Sequence, residues 1–459
     1  MTAERLSNKT KLAYGAGDLG AAIVTAINGF FLLNFLINIA GLRPGMAGTI
    51  FLIVKIWDAV NDPIVGWLTD RTVSKMGRRR PWLLIAAIPF AVFFFLQWVV
   101  PPLNDAGKFW YYLIVAVFLD FAFTAVNVPY AALTAELTQD YDERTRLSSV
   151  RLSFSIVGGV LAAFFHGIIV SLFPQDPKLG YTVSAAIWSV AIAVPCFITF
   201  LGTREPDFAI NAKPKEGGPG FFEGLRIVFR NKAFLLVTLI YMLSWLAIQF
   251  AQNNLQIFTK DWIQLDIKIF SFLLLAIQFS SFVWILIWAK VSQRLGKQNV
   301  YYLGAVFFVL ALMGLFFLQP GQITLTFLLA VVAGIGISVG YLVPWSMVPD
   351  VIELDELETG QRREGIFYGF FVFLQKMGLA VGLFVSGWVL DLSGYINATA
   401  ENPNPAQPAS ALLAMRVLIG PVSAAVLLLS FLAVRAYPIT REKHAQIRAE
   451  LAERKAAGA

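Results

Sequence analysis

The chain has 459 residues, of which 58% are hydrophobic and 14% charged, with a mean hydropathy of +0.68; soluble domains carry about 25% charged residues, so a soluble fold is excluded. The net charge of +7 does not indicate nucleic acid, because the basic residues fall in short polar loops, where they report topology and contact with anionic lipid. Cys196, the single cysteine, sits in an apolar run and excludes a disulfide framework, and no Gly-x-x-x-x-Gly-Lys-Ser/Thr loop for nucleotide phosphates occurs. The two histidines, His166 and His444, are far apart in sequence, so no His-rich metal site or Ser–His pair is suggested and an enzyme is not expected.

Apolar runs of helix-spanning length recur from end to end, which predicts an all-α polytopic membrane protein. The first follows a polar lead, Met1 to Lys11, lacks a small-residue cleavage site, and is read as a retained helix. Twelve spans are expected, at 13–40, 46–69, 82–101, 109–136, 148–173, 181–202, 233–257, 268–291, 300–318, 323–348, 364–391 and 410–436. Loops on the starting side carry Arg71, Lys75, Arg78, Arg79, Arg80, Arg144, Arg146, Arg294, Lys297, Arg362 and Arg363, whereas the opposite loops hold only Arg43, Lys108, Lys178, Lys260 and Lys268. That asymmetry predicts cytoplasmic N- and C-termini, in a multi-pass protein of the plasma (inner) membrane.

The chain breaks in composition at about Glu205 to Gly220, rich in Pro, Gly and Lys. This divides it into an N-terminal six-helix bundle (1–202), a cytoplasmic linker with a short interfacial helix at Phe221 to Arg230 (203–232), a C-terminal six-helix bundle (233–436) and a basic cytoplasmic tail (437–459). A weak repeat supports two halves: Gly66-Trp67-Leu68-Thr69-Asp70-Arg71 and Gly77-Arg78-Arg79-Arg80 follow the second span, and Trp288-Ala289-Lys290 and Arg294-Leu295-Gly296-Lys297 follow the eighth. Such repeats are expected of carriers that rock one half against the other.

The chemistry concentrates in the second span, at Lys55-Ile56-Trp57-Asp58-Ala59-Val60-Asn61-Asp62-Pro63. Asp58 and Asp62 are one helical turn apart on one face, and Asn61 shares most of it. Acids at membrane depth persist where they line a polar cavity or hold an ion, and a carboxylate–amide–hydroxyl set suits a hard cation such as Na⁺. Neutralisation of the two acids by a structural lysine or arginine is the competing reading.

The Gly-x-x-x-Asp-Arg and Gly-Arg-Arg-Arg elements between spans two and three resemble the signature loop of the major facilitator superfamily, in which the acid and the basic residues latch helix ends at the cytoplasmic gate. The resemblance implies the major facilitator fold and assigns Asp70, Arg71, Arg78, Arg79 and, from the second half, Asp350 to that gate. Lys11-Leu12-x-Tyr14-Gly15, the span-two run, Val128-Pro129-Tyr130, Pro344-Trp345-Ser346 and Asp350 further resemble the glycoside–pentoside–hexuronide:cation symporters over nearly the whole chain. That branch, melibiose permease-like, implies symport of a sugar or glycoside with Na⁺, Li⁺ or H⁺ by alternating access.

The resemblance implies a cation site at Asp58, Asn61, Asp62 and Thr124, with Asp58 and Asp62 as the metal ligands if sodium is used, and with Lys376 balancing the charge. No cofactor beyond the coupling ion is expected, and the partners are a small-molecule substrate, a monovalent cation and membrane lipid, with a monomeric chain. Asp18, Asp120, Asn127, Tyr130, Arg151 and Trp345 are the candidates for the substrate cavity. The sugar-binding acids of the branch fall on Ala22 and Asn127, however, and its stacking tryptophan on Ala131. Asp18 lies one turn below Ala22, and Asp120 shares a stripe with Thr124, so either acid could accept hydroxyls at a displaced height; Asp120 paired with a helix-five group and Asp18 as a gate residue are the alternatives.

The departure keeps a second cargo open. The runs Val128 to Thr134 and Leu342 to Asp350 are similar to those of the sodium-dependent lysophosphatidylcholine symporters, which implies an amphiphile, with Phe367, Phe370, Phe371 and Phe373 as an acyl-chain lining. His166 is read as a packing residue or a proton-coupling group. The stretch from Val351 to Arg363 is read as a mixed-charge loop.

Overall fold

The computed structural model describes residues 6–138, 140–205, 221–361, 363–399 and 401–457. Most of the expected linker, including Lys213 and Lys215, and the loop residue Arg362 lie outside the described residues. The described elements are helices: α1 Asn8–Ala16, α2 Leu19–Ile27, α3 Pro44–Arg71, α4 Arg80–Gln97, α5 Asp105–Leu137, α6 Tyr141–Ser171, α7 Pro177–Gly202 and α8 Phe221–Arg230, followed by α9 Lys232–Phe258, α10 Ile267–Leu295 and α11 Lys297–Phe317. The last are α12 Ile323–Thr359, α13 Glu364–Leu392, α14 Ala409–Val417, α15 Ser423–Ala436 and α16 Arg441–Ala457, with π-helical turns after α2, α9 and α14.

Helix starts follow local chemistry. Asn104, Asp140, Asp176 and Asn231 each accept a backbone N–H from the first turn of the helix they open, as short polar caps do. Among the described residues, eleven helices are long and apolar enough to cross a membrane. The expected second span is not one of them. Its helix, α3, has 28 residues, about 42 Å at the helical rise, but Lys55, Asp58, Asn61 and Asp62 interrupt its apolar run.

Two other expectations change. The first span is broken between α1 and α2 at Gly17-Asp18, where the Tyr130 ring and the Thr199 hydroxyl occupy the space a Cβ of residue 17 would need. Only glycine permits so close an approach. The expected loop from Val351 is helical as far as Thr359, and the helix ends where Gly360 takes φ +70°. Leu354 and Leu357 pack on the core, and Val351, Ile352 and Asp355 are buried. Tertiary burial therefore outweighs the charge-rich look of that stretch.

The chain forms two compact units. The first comprises residues 1–216, 266–272 and 387–407; within it α4 packs on α5 and α7, α3 on α5, and α2 on α6. Its core includes a packed aromatic group of Phe35, Trp98, Tyr112 and Tyr181. The second comprises residues 217–265, 273–386 and 408–459, with α11 against α12 and α9 against α15. Val228 of the short amphipathic helix α8, and Ile447 and Leu451 of α16, are buried in its core. The expected tail is thus a docked helix.

Candidate cation and substrate site

Asp58 and Asn61 are buried on α3, 3% and 1% exposed, and Thr124 of α5 is 1% exposed. Packing of α3 on α5 carries the Thr124 hydroxyl to the Asp62 carboxylate, to which it donates at 3.1 Å. Asn61 reaches the same stretch of α5, its amide nitrogen donating a long bond of 3.5 Å to the Asp120 carbonyl. The other end of that amide, Oδ1, is buried with no hydrogen-bond partner among the described residues. An unsatisfied buried acceptor costs free energy comparable to a lost hydrogen bond, which a cation ligated there would relieve.

Lys55 enters this group. Its ammonium lies 3.0 Å from Asp58 Oδ2, one turn away on the same helix, and it also feels the charges of Asp120 and Asp62. Neutralisation by a structural lysine, weighed from sequence, therefore occurs at Asp58. The signal was the i,i+3 spacing in the Lys-Ile-Trp-Asp run. Asp58, Asp62, Asp120 and Lys55 are all oxygen or ammonium groups, and among the described residues no cluster of three or more His, Cys, Asp or Glu side chains could hold a metal. A monovalent hard cation, which needs fewer charges and takes carboxylate, amide and hydroxyl oxygens, fits this arrangement.

The proposed substrate residues separate into groups. At the α1–α2 break, Arg151 of α6 donates from Nε to Asp18 Oδ1 at 3.1 Å, with its guanidinium 5.1 Å from the Tyr130 ring centre. Tyr130 is 1% exposed, stacks on Tyr14 at 4.9 Å and donates to the Tyr14 carbonyl at 2.7 Å. The Tyr14 hydroxyl bonds in turn to the Thr134 hydroxyl. Arg151 is accordingly committed to Asp18, and Lys55 is the cation whose charge reaches Asp120. Asn127 is half-buried on α5. Trp345 belongs to the second unit, 41% exposed, stacked on Tyr368 at 6.1 Å and set edge-on to Phe371 and Tyr241. Phe367 and Phe371 are fully buried and Phe370 nearly so, which makes them core rather than cavity lining.

The gate loop is built more fully than its motif suggested. Asp70 accepts from Arg79 at 2.5 Å, and Arg78 and Arg79 both bond Glu136 of α5, at 3.1 and 2.9 Å. The backbone N–H groups of Arg78, Arg79 and Arg80 all donate to the Glu205 carboxylate, at 2.7, 2.8 and 2.9 Å. Gly77 approaches that carboxylate with φ +102°. Glu205, read from sequence as the start of a polar linker, is 6% exposed and satisfies the start of α4. Arg71 instead lies over the Trp67 ring at 4.2 Å. In the second unit Asp350 accepts from Lys297 at 2.6 Å, and His444 bonds Glu353 at 2.8 Å. His166 is fully buried, bonded through Nδ1 to Ser184 at 2.9 Å and packed on Phe31, Trp98 and Tyr181. Its other ring nitrogen, Nε2, is buried with no hydrogen-bond partner among the described residues.

Eleven membrane-length apolar helices among the described residues, with a charged and hydrogen-bonded cluster between α3 and α5, are the architecture of a multi-pass membrane transporter. The chain belongs to the MFS/sugar transport protein family, whose pattern matches residues 13–441. It is 39% identical to an uncharacterized symporter of Synechocystis, over 99% of this chain and 98% of that one. It is 29% identical to the sodium-dependent lysophosphatidylcholine symporter 1-A of Danio rerio, over 95% of this chain and 86% of that one. The fold is similar to that of a point mutant of the nucleoside transporter NupG and of a D-xylose–proton symporter, with TM-scores of 0.68 and 0.67 at 15% identity. These structures cover 94% and 93% of this chain, and 100% and 96% of their own chains are matched.

Proposed function

We propose that the chain is a monovalent-cation-coupled symporter whose ion site is Asp58, Asn61, Asp62 and Thr124, with Na⁺ as the ion these oxygens suit and H⁺ as the alternative. The observation that carries this reading is the Thr124–Asp62 contact with the unfilled Asn61 acceptor beside it. Lys55 answers part of the charge. The three acids Asp58, Asp62 and Asp120 bring three negative charges, and Lys55 removes one. One monovalent cation removes another, and its loss leaves a charge that low-dielectric surroundings penalise. Closure around the ion is thereby favoured, and a cargo that completes closure tightens the ion by linkage. Both termini are proposed to be cytoplasmic, on the lysine and arginine asymmetry.

For the cargo, an amphiphile such as a lysophospholipid is favoured over a glycoside. Asp18, the displaced acid that was to accept sugar hydroxyls, is held by Arg151, and the remaining sugar positions are Ala22, Asn127 and Ala131. A relative named for lysophosphatidylcholine aligns over nearly the whole chain. The family description, which includes sugar transport, supports the glycoside reading.

The test is Na⁺ binding to the purified wild type and to Asp62→Cys, alone and with a lysolipid or with glycosides. Binding that weakens in the variant and tightens with the lysolipid supports both parts. Tightening only with a glycoside transfers the cargo reading to sugars. Absence of Na⁺ binding at every pH tested removes Na⁺ from the site and leaves H⁺.

A further inference from the structure

A cavity of about 500 Å³ lies along α4 and α5 in the first unit, and none of the proposed cation-site residues lines it. Its floor is made of small buried residues, Ala86, Ala122 and Ala125, at 6%, 2% and 3% exposure. Its rims are large and exposed, with Ile85 at 71% and Phe118 at 50%. Large rims over a small-residue floor leave a recess that the protein's own side chains do not fill. Along α4 it extends from Pro81 to Phe93, about 18 Å at the helical rise. That is a little more than half of the roughly 30 Å hydrocarbon thickness, the depth of one leaflet. A single acyl chain matches this length.

The recess is apolar throughout, and one hydrogen-bonded pair closes its end nearest the gate loop. There Trp82 donates its indole N–H to the Thr72 hydroxyl at 2.9 Å, and both residues line the cavity. Arg71, the residue before Thr72, is exposed and stacked on Trp67, and Lys75 is exposed in the turn that follows. Neighbouring charges are otherwise engaged. Asp70 pairs with Arg79, Glu136 with Arg78 and Arg79, and Glu205 holds the backbone of residues 78–80. The Arg80 guanidinium donates to the Phe200 and Met76 carbonyls. Among the described residues neither Arg71 nor Lys75 makes an ion pair, so the rim presents two cations beside tryptophans. Basic residues next to an apolar surface at the membrane interface attract anionic headgroups.

We propose that this recess is a binding site for one anionic phospholipid, its acyl chain lying over Ala86, Ala122 and Ala125 and its phosphate held by Arg71 and Lys75. The proposal does not depend on the cargo or on the coupling ion.

Purified protein is titrated with phosphatidylglycerol and with phosphatidylcholine of the same acyl chains, and retained lipid is counted by native mass spectrometry. Wild type is expected to hold one phosphatidylglycerol about thirtyfold more tightly than phosphatidylcholine, the scale of two basic residues at such a surface. The double variant Arg71→Gln/Lys75→Gln should bring the ratio to about one, and Phe118→Ala/Ile85→Ala, on the exposed rim, should weaken both lipids. Ala125→Leu, which fills the floor, should abolish retention; where it fails to fold, the rim variant decides. Equal binding of both lipids to wild type overturns the headgroup assignment. Retention unchanged in the rim variant overturns the groove.

Discussion

At the residue scale, the proposed ion site rests on how the charges of one helix are shared. Asp58 is 3% exposed and its carboxylate faces Lys55, whose side chain is 27% exposed. A buried pair that loses one partner leaves a charge without compensation, which costs about 3 kcal/mol at the lower end of the observed range when one partner is partly solvated. Lys55→Met should therefore lower the apparent unfolding free energy by about 3 kcal/mol. The same change in an Asp58→Asn background should cost much less. Equal losses in the two backgrounds, read by thermal unfolding in detergent, would show that the pair is not coupled. Spacing put Asp58, Asn61 and Asp62 on one helix face and the family resemblance added Thr124; in the structure the Thr124 hydroxyl lies 3.1 Å from Asp62. It did not assign Lys55, although the i,i+3 spacing was visible. Helical spacing says that two side chains can meet, but not which of several acids a long flexible lysine selects.

At the element scale, helix identity was legible and helix ends were less so. Asx caps mark starts, and the long apolar runs leave little choice of structure in lipid. The misses share a cause. The break at Gly17-Asp18 is set by the Tyr130 ring approaching from α5, and the extra length of α12 is set by burial of Val351, Ile352 and Asp355; neither partner is local in sequence. A contact of the same long-range type yields a pH prediction. At the start of α6, before its membrane-spanning part, Lys11 bonds Glu143 at 2.7 Å, with Arg146 at 3.1 Å. The Lys11 ammonium, chiefly through its hydrogen bond, holds the Glu143 carboxyl below the usual glutamate range. A depressed folded-state value means the pair contributes stability above the unfolded glutamate value and loses it as pH falls through the folded one. The difference in melting temperature between wild type and Glu143→Gln should accordingly be constant near neutrality and shrink below about pH 4.5. A difference that stays constant down to pH 3 would sink the assignment.

At the scale of the whole molecule, membrane-depth chemistry is what made the chain readable. Composition excludes a soluble fold, the loop around Asp70 to Arg80 points to a carrier superfamily, and the α3 acids are where an ion site is proposed, because charges at membrane depth are costly and persist mainly for function. Cargo was less legible. Selectivity depends on hydrogen-bonding groups at particular heights, and the displaced acid Asp18 is satisfied internally by Arg151. A coupled carrier nevertheless constrains itself through linkage. The factor by which saturating cargo tightens Na⁺ must equal the factor by which saturating Na⁺ tightens the cargo, since both report one coupling free energy. That energy typically lies at about 1–3 kcal/mol, or roughly 5- to 150-fold in affinity. Calorimetric titrations of Na⁺ with and without lysolipid, and of lysolipid with and without Na⁺, should return the same ratio in wild type. Thr124→Ala should reduce Na⁺ affinity in both sets, because it removes a hydroxyl oxygen from the ion and leaves Asp62 without its donor. Ratios that agree and exceed fivefold place ion and cargo in one cycle. A ratio of one in both directions would mean that the two ligands ignore each other, and the acids of α3 would then serve stability instead of transport.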